Sequence, residues 1–458
     1  MTLRQRALRA GAWTVASYGV ELSTRLLTNL IMTRLLFPDA FGVVAAATAL
    51  IVGLLLLSDF GVKAAIIQNP HGEDREFLCS AWVFQLFRGA SLWLIIAIVC
   101  LALSFPLVQS ALPSESVFAS DSFPPVACIL GLNLVLSGCE STAISLNVRQ
   151  LNFRPIVILD LTSRIIPVPI MIVWAYFSPT VWAIVGGSVA GSILRAALSH
   201  AIIPGPRMAF AWRQEHFKEI VAFGKWINLS SWATFVSSQS DVLFLGLLVP
   251  GPMLGIYYVA KTLSDALENV LERLNATMTL PVLGEVIRRN PDHLQDRYYR
   301  FRLPIEIAAA GSAGFIFSSG NAIVHFLYDQ RYAEAGVILQ ILSFGLLLYP
   351  FQLIRSAFTA IARPSVVAWV SVLQATCLLA LLSLGYYFHG PLGAVAGVAG
   401  ARLFPSIAII ALAYRQGWIS LWKELRWIPA YAFGFFVGIA ATYLVGSYTI
   451  LDIRHFFG

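Results

Sequence analysis

The sequence is short of charge. Asp, Glu, Lys and Arg together make up 12% of its 458 residues, about half the share of a soluble globular protein, which excludes a water-soluble domain. Its five cysteines (Cys79, Cys100, Cys128, Cys139, Cys377) all fall inside apolar runs with no pair at metal or redox spacing. A disulfide framework and a metal centre are therefore set aside, and the cysteines read as small core residues. No phosphate-binding glycine loop with its Lys and Ser/Thr occurs, so the chain does not drive itself directly with ATP. The connections between apolar runs are short, and the histidines His389 and His455 stand alone, which argues against an enzyme built on a loop.

What the sequence has in abundance is apolar length: 58% of its residues are hydrophobic, with a formal net charge of +7. The basic residues are scattered through short connections rather than gathered into a patch with interleaved aromatics, so no nucleic acid partner is expected. Arg4, Arg6 and Arg9 precede the first apolar run as in a signal peptide, but that run is too long and too polar, and it reads as a retained first helix. Spanning segments are expected near 12–35, 41–67, 78–105, 123–147, 154–177 and 180–203. A polar connector follows, then segments near 222–249, 253–283, 302–328, 333–361, 364–388 and 391–414, and one more at 427–447. Lys and Arg collect on alternate connections, which predicts a cytoplasmic amino terminus. The longest outer loop, 105–123, holds neither Lys nor Arg.

The first segment is the odd one, because Trp13–Leu35 carries Glu21, Arg25 and Asn29 at helical spacing. A charge at a helix centre costs about 2.5 to 3.5 kcal/mol on insertion scales, so such residues usually face a bundle interior or a water-filled path. After this helix comes the hinge Leu35-Leu36-Phe37-Pro38-Asp39-Ala40-Phe41-Gly42. It aligns with Leu247-Leu248-Val249-Pro250-Gly251-Pro252-Met253-Leu254-Gly255, one residue longer, and the alignment pairs Asn29 with Asp241. The expected architecture is two parallel repeats about an axis along the membrane normal, with a substrate site between them.

Thr33-Arg34-Leu35-Leu36-Phe37-Pro38 with Phe41-Gly42, then Ser58-Asp59-Phe60-Gly61 and Ile66-Ile67-Gln68, resemble the polysaccharide exporter (O-antigen flippase) family. Ser240-Asp241-Val242-Leu243-Phe244-Leu245-Gly246, Gly255-Ile256-Tyr257-Tyr258 and Leu327-Tyr328-Asp329-Gln330-Arg331-Tyr332 fit the same pattern in the second half. This family belongs to the superfamily of the multidrug and toxin extruders and the lipid-linked peptidoglycan precursor flippase. The resemblance covers nearly the whole chain, though many members have fourteen helices where thirteen are counted here. It implies an all-α polytopic membrane protein with two six-helix lobes related by pseudo-two-fold symmetry around a central cavity, plus one extra C-terminal helix. The lobes would be 1–203 and 222–414, with a connector at 204–221 and the extra helix and tail at 415–458. The activity it implies is transfer of an undecaprenyl-pyrophosphate-linked oligosaccharide from the cytoplasmic to the periplasmic leaflet by alternating access, for surface polysaccharide such as the O-antigen of lipopolysaccharide.

Such a cargo needs cations inside the membrane, and arginine binds phosphate bidentately. The candidates for the pyrophosphate and glycan are Arg25, Asn29, Arg88, Arg164, Lys261, Arg273 and Arg402, with Arg25 foremost and Glu21 one turn before it as an ion-pair partner. On the eighth segment Lys261, Asp265, Glu268 and Glu272 share one face, so Asp265, Glu268 and Glu272 join Glu21 and Asp241 as candidates for coupling or gating. On the seventh, Ser231, Thr234, Ser238 and Asp241 line up as a polar face. No cofactor is expected, though a coupling proton or sodium ion is conceivable; expected partners are the bilayer, the lipid-linked oligosaccharide and polysaccharide polymerase or assembly proteins. The rival readings are a drug or cation antiporter of the same superfamily, whose pocket should be acidic and aromatic, and a membrane-embedded polymerase.

Overall fold

The computed structural model describes residues 3–289, 294–360, 364–420 and 422–456, and among them every regular element is a helix. They form two compact units, 1–255 and 256–458.

In the first unit, α1 (Leu3–Leu35) and α2 (Pro38–Leu57) meet at a tight hinge. Pro38 opens α2 where its missing N–H is no loss, and Asp39 lies in the first turn, where the helix dipole favours an acid. α3 (Val62–Gln68) starts after Gly61, whose φ of +60° suits glycine alone without penalty. α4 (Arg75–Leu103), α5 (Pro106–Gln109) and α6 (Phe123–Cys139) follow. α4 and α6 pack so closely that a Cβ on Gly89 would lie 2.3 Å from the Leu134 carbonyl oxygen, and one on Gly138 2.6 Å from that of Gln85. Small residues permit this backbone approach, a main source of cohesion where lipid removes the hydrophobic drive.

The segment expected at 123–147 is bent by 58° between α6 and α7 (Ala143–Arg149). Hydroxyl groups supply the reason: Thr142 Oγ1 donates to the Leu78 carbonyl (3.0 Å), and Ser199 Oγ accepts the Ser141 N–H (2.9 Å). Groups freed by the break are thus satisfied. α8 (Phe153–Ile165), α9 (Pro167–Phe177) and α10 (Trp182–Ala201) complete the run. The connector then lies along the unit, held by Asn147 Nδ2 on the Pro204 carbonyl (2.7 Å) and by an Arg213–Glu76 ion pair (3.0 Å). α11 (Gln214–Ser238) begins ahead of its apolar run, and after Gln239 comes α12 (Ser240–Leu248).

The start of α13 (Gly251–Arg289) belongs to this unit too, and here the two aligned hinges touch. A Cβ on Gly42 would lie 2.0 Å from the Gly251 carbonyl oxygen, and one on Gly255 1.9 Å from that of Pro38. The 105–123 loop reaches α12 beside them, with Ser116 Oγ donating to the Gly246 carbonyl (3.0 Å).

The second unit holds the rest of α13, then α14 (Leu294–Leu327), α15 (Ala335–Leu348), α16 (Gln352–Ala360), α17 (Pro364–Gly400), α18 (Leu403–Arg415) and α19 (Trp427–Phe456). Within α17 the chain turns back at His389 and Gly390, the latter at φ +62°, with Pro391 opening the return. Its arms touch through Gly385 and Gly393, which separates the segments expected at 364–388 and 391–414. The extra C-terminal helix, α19, lies against α14 at Gly434, where a Cβ would stand 2.0 Å from the Gly311 carbonyl oxygen.

Among the described residues, eight helical runs are long and apolar enough to cross a membrane, or nine counting the bent α6–α7 pair. α1, α11 and α13 are not among them. These are the helices on which the sequence places its polar lines.

Candidate functional site

Charges on α1, α8 and α10 and in the α6–α7 bend form a ladder of ion pairs centred on α8. Arg164 reaches Glu21 of α1 at 3.0 Å. One turn earlier on α8, Asp160 bonds Arg195 of α10, which also donates from Nε to Glu140 (3.0 Å) in the α6–α7 bend. Glu21 therefore pairs with Arg164 and not with Arg25, correcting the expected partnership: helical spacing brought the two within reach, but the carboxylate is satisfied across the interface of α1 and α8. Arg25 is exposed, one turn from Glu21, and makes no ion pair among the described residues. Asn29, a turn further, is half-buried. Arg88 of α4 lies 3.9 Å from Asp59, just beyond α2.

Asp241 is buried on α12. The polar face expected from Ser231 to Asp241 is interrupted at Gln239, where α11 ends. Ser231 Oγ donates instead to Asp59 Oδ2 (3.1 Å), and Ser238 Oγ turns back to the Thr234 carbonyl (2.8 Å).

In the second unit, Arg402 pairs with Glu268 beside Gly345 of α15, which leaves room for both side chains. Lys261 and Asp265 are half-buried one turn apart on α13, while Glu272 and Arg273 are exposed. The second unit thus brings Arg402 and Glu268 together out of the expected set.

Two arginines outside the candidate set prove to be structural centres. Arg195 is one. Arg302 is the other, with 0% exposure: it pairs with Glu306 and Glu424 and has the rings of Tyr298 and Phe351 within 5.7 and 5.1 Å. Tyr299 bonds the same Glu424, so the stretch leading into α19 is fastened to α14. The i, i+4 spacing of Arg302 and Glu306 is the signal that could have found this cluster.

A model of the family described as "Polysaccharide biosynthesis protein" matches residues 31–337. The chain belongs to that family. Similar members include the lipopolysaccharide biosynthesis protein WzxC of Escherichia coli (strain K12), 19% identical over 436 residues that cover 92% of this chain and 85% of that one. The succinoglycan biosynthesis transport protein ExoT of Rhizobium meliloti (strain 1021) is 20% identical over 365 residues, 79% of this chain and 71% of its own length. Among solved structures, the lipid II flippase MurJ in an inward closed conformation superposes with a TM-score of 0.69 at 14% identity, covering 98% of this chain and 100% of MurJ. An inward-facing multidrug resistance MATE transporter of the MOP superfamily gives 0.66 at 13% identity, over 89% and 95%. The family member described here thus has the helical transporter fold of that superfamily, as its motifs implied.

Proposed function

We propose that this protein is a flippase that moves an undecaprenyl-pyrophosphate-linked oligosaccharide from the cytoplasmic to the periplasmic leaflet of a bacterial inner membrane, by alternating access. The observation that carries the reading is Arg25. Arg25 is exposed on α1 and makes no ion pair among the described residues, so its guanidinium is open to an anion, and the pyrophosphate is the anion this family's cargo would bring. Lipopolysaccharide and succinoglycan biosynthesis in the named relatives supports a polysaccharide cargo. The glycine contact between the two hinges supports alternating access, since it is a close-packed seam on the side that the charge pattern assigns to the outside, and release would have to part it.

A drug-cation antiporter is the second reading, and the MATE likeness is what favours it. Against it stand the ion pairs: Glu21, Glu140, Asp160 and Glu268 each face an arginine, so these four carboxylates are already neutralised. A polymerase reading has no support in the names of the relatives. Outward movement of an anion gains about 2.3 kcal/mol per charge per 100 mV of inside-negative potential, so a coupling proton or sodium ion is an addition rather than a requirement. Polysaccharide polymerase and assembly proteins remain the partners we propose.

Inverted membrane vesicles carrying labelled lipid-linked oligosaccharide test the reading. Wild-type protein should translocate the label, and Arg25→Ala should abolish transfer while the protein still inserts at normal abundance. Full transfer by that variant would remove the phosphate role.

A further inference from the structure

The C-terminal end of α2 gathers a set of groups that the ion-pair ladder does not use. The Leu57 carbonyl accepts two hydrogen bonds from α11, one from Asn228 Nδ2 (2.8 Å) and one from Trp232 Nε1 (3.2 Å). Two residues on, Asp59 receives the Gly61 N–H at Oδ1 (2.9 Å) and the Ser231 hydroxyl at Oδ2 (3.1 Å). Arg88 approaches this carboxylate only to 3.9 Å. Its guanidinium donates no hydrogen bond among the described residues, so donors remain open on a side chain that is 22% exposed.

Trp232 is the unusual member. Its one polar atom is tied to Leu57, which fixes the plane of the indole, yet the residue stays 52% exposed. With its edge held, the exposed part of the indole is the apolar ring, and Phe60, next to Asp59, packs edge to face on Phe84 (5.7 Å). The charges decide what such a face meets. Arg88 and Asp59 together are neutral, so the site has donors and acceptors on a rigid frame but no net charge to attract a diphosphate. A pyranose fits that chemistry: its C–H face lies against an indole, and its vicinal hydroxyls both donate to a carboxylate and accept from a guanidinium.

We propose that Trp232, Asp59 and Arg88 form a subsite for a neutral hexose ring of the cargo, distinct from the phosphate site at Arg25. This rests on the flippase reading and assigns Arg88 to the glycan rather than to the pyrophosphate. Ser231 acts as a positioning residue, since it holds the Asp59 carboxylate.

The test is saturation-transfer NMR on the full-length protein in detergent micelles, with methyl α-glucopyranoside, methyl β-galactopyranoside and N-acetylglucosamine as probes and inorganic pyrophosphate in a parallel phosphorus-linewidth arm. At least one sugar should receive saturation. Trp232→Ala should weaken that binding about tenfold, on the order of one lost ring contact, Asp59→Asn should weaken it too, and Trp232→Phe should retain most of it. Arg25→Ala should leave the sugar signal unchanged and remove pyrophosphate broadening. Absence of transfer to all three sugars overturns the subsite, as does transfer that survives Trp232→Ala. The vesicle assay separates the two readings: translocation by wild type with no sugar subsite sinks only this inference, whereas no translocation by wild type sinks the flippase itself. A thermal unfolding midpoint for each variant within a degree or so of wild type is required, and Trp232→Phe supplies the folded control should Trp232→Ala fall short.

Discussion

Removing the Arg302 guanidinium would leave Glu306 and Glu424 facing each other where water does not reach. Breaking a buried ion pair from one side costs about 3 to 5 kcal/mol because the stranded charge keeps its desolvation penalty. Arg302→Met should therefore lower the unfolding midpoint in detergent by a large margin, and the triple change with Glu306→Gln and Glu424→Gln should restore most of it. Arg164 and Arg195 answer to the same logic with smaller effects, since their pairs are partly exposed and screened. Arg25 differs in kind. With no carboxylate to strand among the described residues, its replacement should cost transport and not stability, and comparing the unfolding midpoints of Arg25→Ala and Arg302→Met distinguishes an arginine that serves the cargo from one that serves the fold.

At the level of whole helices, glycine sets the spacing. Gly42 and Gly251 bring the hinges into backbone contact, so Gly42→Leu should hold them apart. In a background whose five cysteines are serine, a cysteine at the exposed Asp39 should then react faster with a membrane-impermeant maleimide; an unchanged rate would mean that the seam already opens freely. These elements were largely legible beforehand, because apolar length locates a spanning helix and Pro38, Gly42, Pro250 and Gly255 mark the hinges. The pairing of side chains was not. Glu21 stands one turn from Arg25 in sequence, and nothing in that spacing reveals that Arg164 on α8 lies nearer. Arg195 and Arg302 sit near segment ends, where hydropathy cannot tell a solvated arginine from one turned inward. The break at Gln239 also escaped notice, since Ser238 and Ser240 continue an apolar helix without any proline or glycine.

At the scale of the whole chain, basic residues are concentrated on alternate connections. The connector carries Arg207, Arg213 and Lys218 against Glu215 and Glu219, while the 105–123 loop carries Glu115 and Asp121 and no base. If the first face is cytoplasmic, a periplasm-active phosphatase fused after Pro113 should be active, and one fused after Ala209 inactive; the reverse would invert every assignment of inside and outside made above. For an anionic cargo this sorting has a direction, because the basic face attracts it and the acidic loop does not hold it.

The contact of Gly42 with Gly251 also bears on how the protein is made. Roughly 200 residues separate the two, which is about 10 to 40 s of synthesis at about 5 to 20 residues per second. Through that interval α1 and α2 are already in the bilayer with their glycine seam uncovered, and the first unit closes only once the ribosome has passed the second hinge. Truncation before Gly251 would leave that surface open to whatever helix reaches it first, so a nascent chain stalled there is the form most exposed to mispairing and to membrane proteases.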